Sequence, residues 1–138
     1  MGFLLDTCLL SEAWKPSPNP GVVAWLGGSE EEELYISVLC LGEIRKGIGS
    51  LETGKKKTSL LRDYAALRSR FSTRILAVTD QTAERWGDLA ADARRAGKHF
   101  HVVDGLVAAT ALVHGHTLVT RNVSDFGAAP VPIVNPWT

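Results

Sequence analysis

Residues Val102 to Phe126 read VVDGLVAATALVHGHTLVTRNVSDF. Asp104 stands at the start of an apolar, alanine-rich segment with helical spacing. Gly115 ends that helix, Leu118 and Val119 make a short apolar strand, and a polar cluster follows: Thr120, Arg121, Asn122 and Asp125. A helix start and a strand end can meet at one edge of an α/β sheet. In open sheets of this kind, sites lie outside the carboxyl ends of the strands. The remaining chain is therefore read for further acids sent to that edge.

Upstream, Phe3 to Leu5 form an apolar run ending at Asp6, and Thr7 to Trp14 reads as a helix. Taken alone, Asp6 or Thr7 is simply the cap of that helix. After the Pro16 to Gly21 turn, Val22 to Leu26 is a short helix. Leu34 to Ile36 form a second strand, and Ser37 opens a helix with Leu41, Ile44 and Ile48 on one stripe. Glu43 lies off that stripe, near Leu39 and Lys46, where a surface pair with Lys46 is the plain structural role. Lys55 to Phe71 reads as a basic amphipathic helix, Ile75 to Val78 as a third strand, and Asp80 as the cap of a helix ending at Gly97. Pro130 to Val134 supplies the last strand. Short strands alternating with helices predict a three-layer α/β/α domain with a mainly parallel central sheet.

A chain of 138 residues, 45% hydrophobic and 22% charged, fits one soluble globular domain over residues 1–138. No apolar run approaches the roughly 18 residues a membrane span needs. The opening MGFLLDTCLLSEAW lacks a basic region and predicts no secretion signal, so the expected location is cytoplasmic. Cys8 and Cys40 read as reduced thiols. His99 with His101, and His114 with His116, are spaced two apart and share no helix face, which argues against zinc. Net charge is zero, but Lys55, Lys56, Lys57, Arg62, Arg68, Arg70 and Arg74 make the middle basic. Glu30 to Glu33 reads as a solvated acidic run.

Asp6, Glu43, Asp104 and Asp125 thus occupy comparable places. Gathered on one edge, such carboxylates repel one another unless a cation neutralises them, and Mg²⁺ or Mn²⁺ is the hard, oxygen-seeking choice. No P-loop, GxGxxG or nucleophile-elbow motif competes for that edge. An acid-edge phosphotransfer domain is disfavoured, because the second Asp such a phosphatase needs two residues after Asp6 is replaced by Cys8.

The segments LLDTCLLSE at 4–12, ISVLCLGEIRKGI at 36–48, VVDGLVAATALVHGHTLVTRN at 102–122, SDF at 124–126 and NPW at 135–137 occur in order along nearly the whole chain. This ordered set resembles the PIN-domain ribonucleases that serve as toxins of bacterial type II toxin–antitoxin pairs, the VapC/FitB group. The resemblance implies a metal-dependent endoribonuclease. Asp6, Glu43 and Asp104 would be its metal-binding acids, Asp125 the fourth, and Thr120 and Asn122 supporting hydrogen-bonders. Arg121, Arg45 and Lys46 become candidate contacts for RNA phosphates. It further implies an RNA substrate, a homodimer, and a small antitoxin whose basic side chain could enter the acid cluster. Leu9, Trp14 and Trp25 could form the apolar surface that receives that partner, or could be core. The chain departs from the family pattern at Cys8, where Asn is usual, and at Cys40, where Thr is common. Cys8 is expected to weaken the ordering of Asp6. A catalytically weak or inactive PIN module acting by binding is the alternative.

Overall fold

The computed structural model describes residues 2–138. Five parallel strands lie in the order β3-β2-β1-β4-β5. They are β1 (Phe3–Leu5), β2 (Leu34–Ser37), β3 (Ile75–Leu76), β4 (Thr117–Val119) and β5 (Ile133–Val134). The helices are α1 (Thr7–Ala13), α2 (Pro20–Gly27), α3 (Val38–Gly49), α4 (Lys55–Arg70), α5 (Asp80–Arg95) and α6 (Val102–His114). Short 3-10 turns span Glu31–Glu33 and Val123–Phe126.

Side chains alternate across a strand, so successive apolar residues feed opposite faces. Leu5, Ile36 and Val119 join Leu9, Val22, Ile44, Ile48 and Phe71 in one core. Leu4 and Leu118 join Leu89, Val107, Ala108 and Phe126 in the other. Helices α1 to α4 therefore cover one face of the sheet, and α5 and α6 cover the other. Burial on both faces is why the central strands are unbroken apolar runs. The expected α/β/α sandwich with a parallel sheet is what forms.

Strand order runs outward from β1 to β2 and β3, then reverses to β4 and β5. The gap between β1 and β4 is thus the switch point at which open α/β sheets place their ligands. Leu5 pairs with Val119 in the parallel register, so Asp6 and Thr120 leave the sheet side by side.

Several local expectations change. The edge strands are shorter than their apolar runs suggest: Ala77 and Val78 leave the sheet, and β5 begins only at Ile133. Pro130 and Pro132 lack the N–H a strand must donate. Thr79, not Asp80, caps α5. Its Oγ1 accepts from the Thr82 N–H at 3.2 Å, and Thr82 Oγ1 accepts from the Thr79 N–H at 3.3 Å. Asp80 is the first residue inside the helix. Helix α2 starts earlier than its apolar residues suggest, with Pro20 in its first turn and the Asn19 side chain capping Gly21 and Val22. The acidic run is not merely solvated either. The Arg70 and Arg74 guanidiniums clasp Glu31, at 2.7 and 2.9 Å, and hold its carboxyl down at about 2. Arg74 also donates to the Leu34 carbonyl at 2.6 Å, fastening the start of β2. Among the described residues, no helix is long and apolar enough to cross a membrane.

Gly105 follows Asp104 on α6 and faces the Trp86 ring of α5. A Cβ there would stand 2.8 Å from Trp86 Cδ1 and 2.9 Å from Nε1. Two helices approach closely here because one of them carries no side chain. Gly105→Ala is therefore expected to destabilise the chain by about 1–3 kcal/mol through overpacking, despite alanine's better helix propensity. Thermal unfolding beside the Gly87→Ala control, whose Cβ meets nothing, checks this.

Candidate functional site

Asp6 has two roles at once. Its Oδ1 accepts from the Thr7 N–H at 2.9 Å and caps α1, as its position in the sequence suggests. Its Oδ2 accepts from the Thr120 hydroxyl at 2.7 Å. Thr120 is fully buried and in turn accepts from the Asn122 N–H at 3.0 Å. Thr120 thus reaches Asp6 through its hydroxyl, and Asn122 reaches Thr120 through its backbone N–H. The Cys8 thiol faces Asp6 Oδ2 and Thr120 Oγ1, each at 3.7 Å. Burial, followed at a distance by the Asp6 charge, pushes this thiol up from its ordinary range. The ordering of Asp6 does not depend on an amide at position 8, because Thr7 and Thr120 grip both oxygens.

Glu43 does not pair with Lys46. Its Oε1 accepts from the Thr7 hydroxyl at 2.7 Å, across the α1–α3 junction. That hydroxyl also touches Cys40 Sγ at 3.0 Å. Cys40 is buried beneath the site, and desolvation pushes its thiol up to about 12. Both cysteines are free.

Asp104 lies in the first turn of α6, two residues inside the helix rather than at its cap. Burial raises its carboxyl above the ordinary range first, and the charges of Asp6, Asp125 and Glu43 raise it further. His101 pulls weakly the other way. Three other acids thus act on Asp104, from the end of β1, the turn after β4 and the middle of α3. Asp125 occupies the exposed 3-10 turn after β4, with its N–H donating to the Asn122 carbonyl at 3.0 Å. An open cleft lined by Glu43, His101, Val102, Val103 and Asp104 lies over the edge.

The cations are arranged unequally. Lys46 shares a cleft with Glu43 and Val103. Arg45 is stacked over Tyr64 at 5.4 Å, and Arg121 over Trp137 at 5.8 Å. Leu9 is core, wholly buried, whereas Trp25 is half-buried and packs edge-on against Phe3 at 5.2 Å. Trp14, also half-buried, is one wall of a groove with Ile44, Ile48 and Leu60 that reaches Thr7 and Glu43. One acid has a role that sequence reasoning misses. Glu12 is buried, accepting from Lys15 Nζ and the Asn19 N–H, each at 2.9 Å. It braces the α1–α2 turn, and a Lys three residues on is the only signal for it.

The donor set is all oxygen: four carboxylates and the Thr120 hydroxyl. Among the described residues, no three His, Cys, Asp or Glu side chains converge tightly enough to enclose an ion directly. An all-oxygen donor set matches hard cations such as Mg²⁺ or Mn²⁺ in its chemistry.

Thr120→Val keeps the shape and removes the hydroxyl. It leaves Asp6 Oδ2 and the Asn122 N–H short of a partner, at a cost of about 1–3 kcal/mol. Loss of a group that orients a metal ligand lowers ion affinity or activity by roughly 10- to 100-fold. Calorimetric Mn²⁺ titration alongside chemical denaturation would register both effects.

The PIN domain family profile matches residues 3–129, and the chain belongs to that family. It is 38% identical to the toxin FitB of Neisseria gonorrhoeae over 135 residues, covering 97% of each chain. It is 36% identical to the VapC ribonuclease Y4jK of Sinorhizobium fredii, over 97% of this chain and 96% of that one. The fold superposes on a chain of the FitAcB crystal structure from Neisseria gonorrhoeae with a TM-score of 0.93, covering 98% of both chains at 38% identity.

Proposed function

We propose that this chain, acting as one domain in the cytoplasm, is a metal-dependent endoribonuclease and the toxin of a type II toxin–antitoxin pair. What supports the reading is that Asp6, Glu43 and Asp125, from separate elements, all raise the buried Asp104 carboxyl beside the β1/β4 switch point. Such a collection of like charges is unfavourable by itself. Its cost has a use if a Mg²⁺ or Mn²⁺ ion is the ligand.

In this reading Asp6, Glu43, Asp104 and Asp125 would hold the ion. When bound, it would supply Lewis-acid polarisation of a phosphodiester and activation of water near neutral pH. The chain's own part is positioning. Thr120 and the Thr7 N–H fix the Asp6 carboxylate, and the Thr7 hydroxyl fixes Glu43, so the oxygens are aimed before substrate arrives. Lys46, in the cleft beside Glu43, is placed to meet an RNA phosphate. Arg45 and Arg121 do so only from their aromatic rests. Phosphate contacts of this kind supply affinity without sequence choice.

The partner would be a small antitoxin. Its apolar segment would lie in the Trp14–Ile44–Ile48–Leu60 groove, which leads to Glu43, and a basic side chain could then reach the acids. Self-association as a homodimer completes the assembly. The test is cleavage of total cellular RNA by the partner-free protein in Mg²⁺, Mn²⁺ or EDTA. Discrete fragments with metal and none with EDTA are expected. Intact RNA in every lane from well-folded protein would overturn the nuclease in favour of a binding module.

A further inference from the structure

Resting on the ribonuclease reading, we propose that Lys98, His99 and His101, in the loop between α5 and α6, form a platform that binds unpaired RNA bases. An acidic edge repels the phosphates it must process, so substrate has to be held by groups beside it. This loop is where the structure supplies them. His101 shares a cleft with Glu43 and Asp104. Lys98 and His99 share another with Ser124 and Asp125. The segment therefore runs from the cleft of Glu43 and Asp104 to that of Asp125.

The loop is presented rather than slack. Gly97 takes the left-handed conformation at φ 72°, and the Lys98 N–H closes back on the Ala93 carbonyl at 2.7 Å, ending α5. Phe100 is buried in the core between the two histidines. Its neighbours Lys98, His99 and His101 consequently point outward and are exposed. The two imidazoles meet edge-to-face with centroids 6.4 Å apart and are not stacked on each other. His101 precedes α6 but makes no side-chain capping bond, so its ring is not committed to the helix. Exposed rings with an adjacent lysine are the equipment of single-strand binding, in which bases stack on the rings and the ammonium meets a phosphate. Duplex RNA hides its base faces and would gain nothing from the rings.

The test is fluorescence anisotropy of a short labelled RNA of mixed sequence, in EDTA so that binding is read without cleavage. His99→Ala with His101→Ala should weaken single-strand binding on the order of tenfold. His99→Phe with His101→Phe should retain it, and duplex binding should be unchanged in both. Lys98→Ala should weaken binding and flatten its salt dependence. Alanine variants that bind the single strand like the wild type would overturn the platform, as would phenylalanine variants that fall with them. If the wild type still cuts total RNA with Mg²⁺, that result removes the platform and leaves the nuclease standing. A wild type that neither binds nor cuts RNA overturns both.

Discussion

An Asp6→Asn protein is expected to fold and to lose RNA cleavage by at least about a thousandfold, because in the proposed mechanism an ion at this edge would lower the barrier by several kcal/mol. The substitution is nearly isosteric. The amide oxygen can still cap α1 through the Thr7 N–H, and the amide nitrogen can donate to Thr120 where the carboxylate accepted. What disappears is one negative charge from a cluster of four. Since burial first, and then the charges of Asp6, Asp125 and Glu43, disfavour an ionised Asp104, the variant should melt no lower than the wild type, and higher in the absence of divalent ions. Loss of function with undiminished stability is the mark of a site held against its own repulsion. A variant that melts well below the wild type would mean that Asp6 is chiefly a structural cap. Ion binding read by calorimetry, without RNA, should be lost in parallel with cleavage.

Phe126→Ala should cost about 3–5 kcal/mol, the usual range for emptying a buried phenylalanine site. Against a total stability of about 5–15 kcal/mol, much of the margin goes. Phe126 is 1% exposed and packs against the α5–α6 face, and it ends the 3-10 turn that carries Asp125. Phe71, equally buried in the opposite core, is the control. Phe71→Ala and Phe126→Ala should lower the melting temperature by similar amounts. Only Phe126→Ala should also lower cleavage per folded molecule, because the turn holding Asp125 and the Asn122 backbone loses its anchor. Equal activity in the two variants, corrected for folded fraction, would place Asp125 outside the site.

The central architecture is legible in the sequence because its signals are local. FLL, LYI and LV are strands buried on both faces, and FLL and LYI each run straight into a helix start, so the sheet and its parallel sense can be read directly. Asp6 and Asp104 are visible for the same reason, as acids at element boundaries. What is not legible depends on neighbours distant in sequence. Glu43 looks like the partner of Lys46, one turn away, and instead takes the Thr7 hydroxyl. The acidic run hides Glu31 because its clasping arginines lie some forty residues downstream. Asp80 looks a better cap than Thr79 because an acid at a helix start is a plainer signal than a reciprocal bond with Thr82. Cys8 suggests a loosened Asp6, since the sequence names Thr120 as a support without saying which oxygen of which acid its hydroxyl holds.

That last contact has a temporal side. The hydroxyl that seats Asp6 lies 114 residues further along the chain, and β1 can complete its pairing with β4 only when both exist. Parallel pairing across such a span is slow to form and contributes nothing until the loop closes. A ribosome must therefore deliver most of the polypeptide before the acids can assemble. A nascent chain that lacks β4 therefore lacks the Thr120 grip on Asp6, and the edge is completed only once the last strands have joined the sheet.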